Sequence, residues 1–288
     1  MNMMTTTSFN RMGTRVLERE ELARIVPSAF AAQAHESRSA RYAYIPTSEI
    51  IDALAKEGFR PYHAKQGGSR IPGKADYTKH LIRFRHDSQG MPTSLNATVP
   101  EVALLNSHDG TSSYRIMAGL FRLVCLNGMM VADDQIGEVR VGHSGNITDK
   151  VIEGTYQVLN DTVRVMERPR EWAQIALEHR EQVALAEAVH GLRFDDESGL
   201  SEAIKPEQFL RPRRSADTGN DLWSTFNVLQ ENAIKGGLRG LAPNTAANAR
   251  RRTRTVTTRP VNNIDGDVKL NRALWTLAER MAEIKGAG

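Results

Sequence analysis

The sequence predicts an α+β protein: an antiparallel sheet built on a central hairpin and backed by a long helix, followed by a C-terminal helical region with a basic loop. Three observations predict it. Asp109-Gly110 separates two apolar, β-rich runs; Gly adopts positive φ without steric cost and Asp tolerates it, so the pair closes a hairpin. Residues 146–168 carry apolar side chains at helical spacing, with Asn146 as cap and Pro169 as breaker. Beyond residue 193, amphipathic stretches alternate with turn-rich and Arg-rich ones.

Taken in order, residues 1–18 show no apolar period. Leu22, Ile25, Val26, Phe30 and Ala34 then fall at helical spacing, and Pro27 must kink or restart that helix. Thr47 and Ser48 are cap candidates for a short helix carrying Ile50, Ile51 and Leu54, which Gly58 ends. A strand is expected over 59–64 and a Gly-rich loop over 66–74, whose Gly67-Gly68-Ser69-Arg70 lacks the spacing and the Lys-Ser/Thr of a P-loop. A second strand over 77–86 turns His80, Ile82, Phe84 and His86 to the core. Its Lys79, Leu81, Arg83 and Arg85 make a basic sheet face.

In the hairpin, the alternation of Tyr114, Ile116 and Ala118 slips by one residue to Phe121, Leu123 and Cys125. A bulge at Gly119 would restore it and place Arg115 and Arg122 together, opposite the core. A short strand over 136–141 precedes the long helix, and residues 172–190 form a further helical piece ended by Gly191. A first domain, 1–192, and a second, 193–288, follow. In the second, one helical turn over 206–210 leads to Arg211-Pro-Arg-Arg214. A helix over 221–235 then buries Leu222, Trp223, Phe226, Leu229 and Ala233. Another over 267–285 buries Leu270, Leu274, Trp275, Ala278 and Met281, and between the two, residues 238–262 read as a mobile basic loop.

A chain of 288 residues, 40% apolar, buries a substantial core. No apolar run approaches the roughly 20 residues that span a bilayer, and the polar stretch 1–15 lacks the apolar centre of a signal peptide. A bacterial cytoplasmic location and no membrane association are expected. Cys125 is the only cysteine; in an apolar strand it reads as core packing, with a nucleophile as the alternative. The net charge is +4, but it is localised. Eleven basic residues against four acidic ones lie between Lys205 and Arg259, a segment of +7 that leaves −3 for the rest of the chain. A polyanion-binding surface has this signature, and a solvated basic loop is the alternative.

Several strings point to one family: Asn106-Ser-His-Asp-Gly-Thr-Ser112, Phe121-Arg-Leu-Val-Cys-Leu-Asn-Gly128 and Arg140-Val-Gly-His-Ser-Gly-Asn146. Downstream stand Asn220-Asp-Leu-Trp223, Gln230-Glu-Asn232, Ile234-Lys-Gly-Gly237, Ile264-Asp-Gly-Asp267 and Leu270-Asn-Arg-Ala-Leu-Trp275. Together they resemble the domain of unknown function 932 family, more closely its YafZ/YfjQ-type members, over about residues 21–283. The resemblance implies conjugative plasmids, prophages and phages, and it supplies no catalytic residues to carry over.

Three functional classes stand against one another. The favoured one is a non-enzymatic, homo-oligomeric nucleic-acid-binding protein that acts on single-stranded DNA in recombination or strand annealing. Its cations would be Lys79, Arg83, Arg85, Arg115 and Arg122 on the sheet, Arg213, Arg214, Lys235 and Arg239 beside the Trp223 helix, and Arg250, Arg251, Arg252 and Arg254 in the loop. A basic sheet backed by a helix is similar in outline to ring-forming single-strand annealing proteins, by topological analogy alone. The second class is an anti-defence or regulatory protein that binds a host protein. The third is a metal-dependent nuclease or hydrolase using His108, Asp109 and His143; the competing role for these three is to shape the hairpin turn. No cofactor is expected, and no His-Glu-x-x-His, paired-cysteine, Gly-x-Ser-x-Gly or P-loop motif is present.

Overall fold

The computed structural model describes residues 13–36, 44–90, 97–122, 127–130, 138–143, 145–194, 200–244 and 253–286. The chain divides into two compact units, residues 1–166 and 167–288. Unit 1 opens with α1 (Arg19–Ile25), and Pro27 restarts the chain as a 3-10 turn, as its missing N–H requires. Helix α2 (Thr47–Lys56) follows and ends at Gly58, whose φ is +86°. The sheet strands are β1 (Phe59–Gln66), β2 (His80–His86), β3 (Thr98–Asn106), β4 (Tyr114–Arg122), β5 (Asn127–Met130) and β6 (Val139–Val141). They pair antiparallel in the order β1-β2-β3-β4-β5, while β6 joins the other end of β4. Helix α3 (Ile147–Val165) lies across β3, β4 and β6. Gly154 brings it close: a β-carbon there would stand 2.7 Å from Val139 and 2.9 Å from Ile116.

The α+β class, the central hairpin and its backing helix are therefore as expected. Asp109 tightens the hairpin turn by accepting from the Thr111 N–H (3.0 Å) and hydroxyl (2.6 Å), and Gly110 sits at φ +79°. The register corrects one expectation. Residues 98–105 pair with 122–115 without a shift, so Gly119 carries no bulge and Arg115 and Arg122 point to opposite faces. Both faces of β4 are buried, which is why its apolar residues need not alternate. The irregularity lies instead in β1, between Pro61 and His63, where Pro61 has no N–H to give the ladder.

Unit 2 is mainly helical, with α4 (Arg168–Trp172), α5 (His179–Arg193), α6 (Leu200–Ala203), α7 (Leu222–Lys235) and α8 (Ile264–Ile284). Helix α5 runs through Gly191, because an isolated glycine costs a helix only about 1 kcal/mol, and it packs on α7 and α8. The core is aromatic: the Trp172 and Trp275 rings lie 4.6 Å apart, and Phe226 meets both edge-on. The stretch expected to be a loop over 238–262 begins and ends as a ribbon of β7 (Arg239–Pro243) and β8 (Thr253–Thr257), paired antiparallel from Arg239↔Thr257 to Pro243↔Thr253. Gly240 faces inward against the Ala203 carbonyl, with no room for a β-carbon, and Ala242 and Val256 are buried beside it.

The base of this ribbon is fixed by Gly236, at φ +62° and ψ −147°, with the Thr258 and Arg259 carbonyl groups 2.7 Å from where a β-carbon would stand. All three tryptophans lie in unit 2. Gly236→Ala should therefore lower the tryptophan-monitored unfolding free energy by about 3 kcal/mol, measured by urea titration. An unchanged midpoint would refute this account of the ribbon base.

Candidate nucleic-acid interface

The sheet arginines form an internal ionic cluster, not an open cationic face. Arg83 and Arg85 leave β2 on the side away from α3, and β3 places Glu101 between them. Arg85 donates to Glu101 Oε1 through Nε (2.9 Å) and NH2 (2.8 Å), and Arg83 NH1 lies 3.3 Å from Oε2. Their side chains are 5% and 7% exposed and that of Glu101 is fully buried. Phe121 lies under both guanidinium groups at 5.2 and 4.7 Å, Tyr62 stacks on Arg85 at 4.1 Å, and the Gly13 carbonyl accepts from Arg85 at 2.6 Å. Arg122 is buried as well. Arg115 is clamped by both carboxylate oxygens of Glu138, at 2.6 and 2.7 Å, and Lys79 is half-buried. A charge held in this way has no solvent-facing valence for phosphate, so the expected basic sheet face is not realised by these residues.

In unit 2 the predicted cations divide into two groups. Arg213 donates to Asn232 Oδ1 (2.8 Å) and to the Gly236 carbonyl; Arg214 bridges Asp217 (2.8 Å) and Glu231 (2.6 Å); Lys235 also reaches Glu231 (2.8 Å). Arg213 and Arg214 thus pin the segment before α7 to that helix, while the Lys235 pair lies within it. The buried Gln230-Glu231-Asn232 string is the receiving surface: Gln230 donates to Asn271 on α8, and Asn232 to the Phe209 and Arg211 carbonyls. Arg239 and Arg254 stand apart. Both are exposed on the β7–β8 ribbon, and neither makes an ion pair among the described residues. Arg250, Arg251 and Arg252 fall in sequence between the two strands and, like Cys125, lie outside the described residues. Arg211 and Arg259 are exposed too. Nothing in their immediate sequence set them apart from paired arginines.

His108 and Asp109 both have hydrogen-bond partners within the fold. Asp109 binds Thr111 as above, which lowers its carboxyl below the usual range against the opposing effect of burial. His108 is fully buried and reaches Thr47 Oγ1 at 3.1 Å. The same hydroxyl meets His80 Nε2 at 2.9 Å and Asn106 Nδ2 at 3.1 Å, and Ser28 meets His80 Nδ1 at 2.9 Å. Thr47 thus gives its side chain to this buried node and does not cap α2. His143 contacts the Ser112 carbonyl (3.3 Å) and packs on Tyr114. Among the described residues no three His, Cys, Asp or Glu side chains form a group that could hold a metal ion, and no helix is long and apolar enough to cross a membrane.

Burial pushes His80 down to about 4 and His108, which also faces His80 and His143, to about 3. An unfolded histidine titrates near 6.5, so acid drives protons onto the unfolded chain first. The stability these two confer should be complete above about pH 6.5 and fall by about 2–3 kcal/mol per histidine by pH 4.5. All six tyrosines lie in unit 1, so their near-ultraviolet signal during urea unfolding at the two pH values reads this out. His80→Phe should flatten the dependence. In the same assay at pH 7, Glu101→Gln should cost about 3 kcal/mol by leaving two buried guanidinium groups without their counter-charge; a loss below 1 kcal/mol would contradict the cluster's role.

Comparison with known proteins places the chain among relatives identified by sequence. Two Escherichia coli (strain K12) proteins, "UPF0380 protein YafZ" and "UPF0380 protein YfjQ", are 47% and 46% identical to it over 267 residues, each alignment covering 93% of this chain and 92% of the relative. No solved structure matches. Residues 34–275, which include the sheet, the ribbon and most of α8, match the family model described as "Domain of unknown function (DUF932)", and the chain belongs to that family.

Proposed function

We propose that this protein is a non-enzymatic DNA-binding protein of bacterial mobile elements, acting as an oligomer on single-stranded DNA in recombination or annealing. Its primary contact is the β7–β8 ribbon. One observation carries the reading: Arg239 and Arg254 are exposed and free of ion pairs among the described residues, on a ribbon whose intervening sequence adds Arg250, Arg251 and Arg252. The arginines elsewhere in the predicted set are largely spent on internal carboxylates and carbonyls. Exposed cations along a ribbon neutralise phosphates and release counterions, with no need to read bases. The outward face of β8, with Thr253, Thr255 and Thr257, offers hydroxyls to the backbone and no aromatic stacking platform.

The test is fluorescence anisotropy of a labelled single-stranded oligonucleotide titrated with the full chain at several salt concentrations, with duplex DNA as competitor. Five arginines predict a slope of log K against log salt of about −3 to −4. Arg239→Ala with Arg254→Ala should flatten it by about 1.4. Absence of binding at low salt would reject the reading in favour of a protein partner; preference for duplex would reject the single-stranded assignment.

A further inference from the structure

The loop joining β1 to β2 fits no phosphate-binding motif. Its structure gives it a different significance. The base is held in place: Gln66 accepts from the Ser28 N–H (3.0 Å) and donates to the Ala75 carbonyl (2.8 Å), Thr78 donates to the Gly67 carbonyl (2.7 Å), and the Gly67 N–H reaches the Lys79 carbonyl (2.7 Å). A side-chain link from Ser69 to Ile71 (3.0 Å) and a backbone bond from Lys74 to Ile71 (3.3 Å) shape the tip. The tip exposes Arg70 and Ile71, Ile71 at 58%, and Lys74 is half-buried, with its charge acting on the Asp109 carboxylate. Arg70 makes no ion pair among the described residues.

Charge makes this more than one stray apolar side chain, which alone would be unremarkable. Residues 65–79 hold four basic residues and one acidic, a local +3. With the +7 of residues 205–259, the two segments carry +10, and the remainder of a +4 chain must carry −6. The excess positive charge thus falls in two stretches of sequence, one in each unit, each of which contains a β-connection, while the remainder of the chain is net acidic. An acidic body repels a polyanion everywhere except at such points. A partner that suits both a cation pair and a branched aliphatic side chain has phosphates beside flat apolar faces, which describes a nucleic acid: Arg and Lys take the backbone, and an aliphatic wedge packs on a base.

We infer that the β1–β2 loop tip is a second nucleic-acid contact, in which Arg70 and Lys74 bind phosphate and Ile71 packs against a base. The inference rests on the DNA-binding reading above and adds to it a site in unit 1. Two contacts on one chain raise the effective concentration of the second once the first is made, so losing either weakens binding well beyond its own share.

The experiment is the same anisotropy titration of a labelled single-stranded oligonucleotide, long enough to reach both sites, with three full-length variants. Arg70→Glu with Lys74→Glu should weaken binding at least tenfold and flatten the salt slope by about 1.4. Ile71→Ser should weaken it three- to tenfold with the slope unchanged, because a base contact releases no counterions. Arg239→Glu with Arg254→Glu serves as the ribbon control, and unchanged thermal midpoints establish that the loop variants fold. If both loop variants bind within twofold of the parent while the ribbon variant fails, the loop site is overturned and the ribbon reading stands. If the parent chain itself binds no DNA at low salt, both fall.

Discussion

Unit 1 is organised around a carboxylate inside its sheet. Glu101 is fully buried and would be intolerable alone; Arg83 and Arg85, themselves buried, make it tenable, and the reverse holds equally. The pairing constrains everything next to it. Both arginines must lie on the same face of β2, so that strand cannot slip by one residue against β3. Gly119 stands opposite Glu101 on β4, and Phe121 two residues on supplies the ring on which the guanidinium groups rest. The Gly13 carbonyl completes the shell and ties residues 13–17 along β1, where the Gly13 and Leu17 N–H groups reach the Tyr62 and Pro61 carbonyls. Register, strand order and the covering segment thus answer to one ion cluster.

That cluster also marks where sequence reading stopped. Alternating Arg83 and Arg85 on a strand have the pattern of a solvated face, and what allows their burial is a single glutamate on another strand, 18 and 16 positions away. Pattern sees charge but not its partner; the lone acid in an otherwise apolar β3 was the available sign. The hairpin was legible because Asp109-Gly110 imposes its turn locally, and α3 because its stripe needs no knowledge of the sheet. The ribbon was not, since Arg-, Gly- and Thr-rich segments resemble a loop until Gly240 is seen pressed against the Ala203 carbonyl. The alternation of Thr253, Thr255 and Thr257 around Val256 was the faint strand signal.

The same distinction sorts the candidate site. Arginine is a good structural residue because its planar fork satisfies carboxylates and carbonyls from several directions. Arg85, Arg213 and Arg214 are used so, each bridging two partners. Counting basic residues therefore overstates a binding surface, and what discriminates is whether the fork is already occupied. By that measure the proposed interface contracts to the ribbon and to exposed connections, and the Gln230-Glu231-Asn232 string belongs to the internal bracing of unit 2.

The Thr47 node has a direction. Asn106 Nδ2 can only donate to the hydroxyl, which leaves Thr47 one lone pair and one proton to share between two imidazoles, so one ring must give and the other receive. His80 Nδ1 faces the Thr78 carbonyl at 3.3 Å, which can only accept, and the Ser28 hydroxyl at 2.9 Å, which can do either; a proton of His80 on Nδ1 suits both, with its Nε2 receiving from Thr47. His108 must then carry its proton on Nε2, leaving bare the Nδ1 that has no partner, a lighter cost than a buried N–H without one. Two histidines of one core are thus opposite tautomers, wired by a single threonine into a chain of fixed polarity.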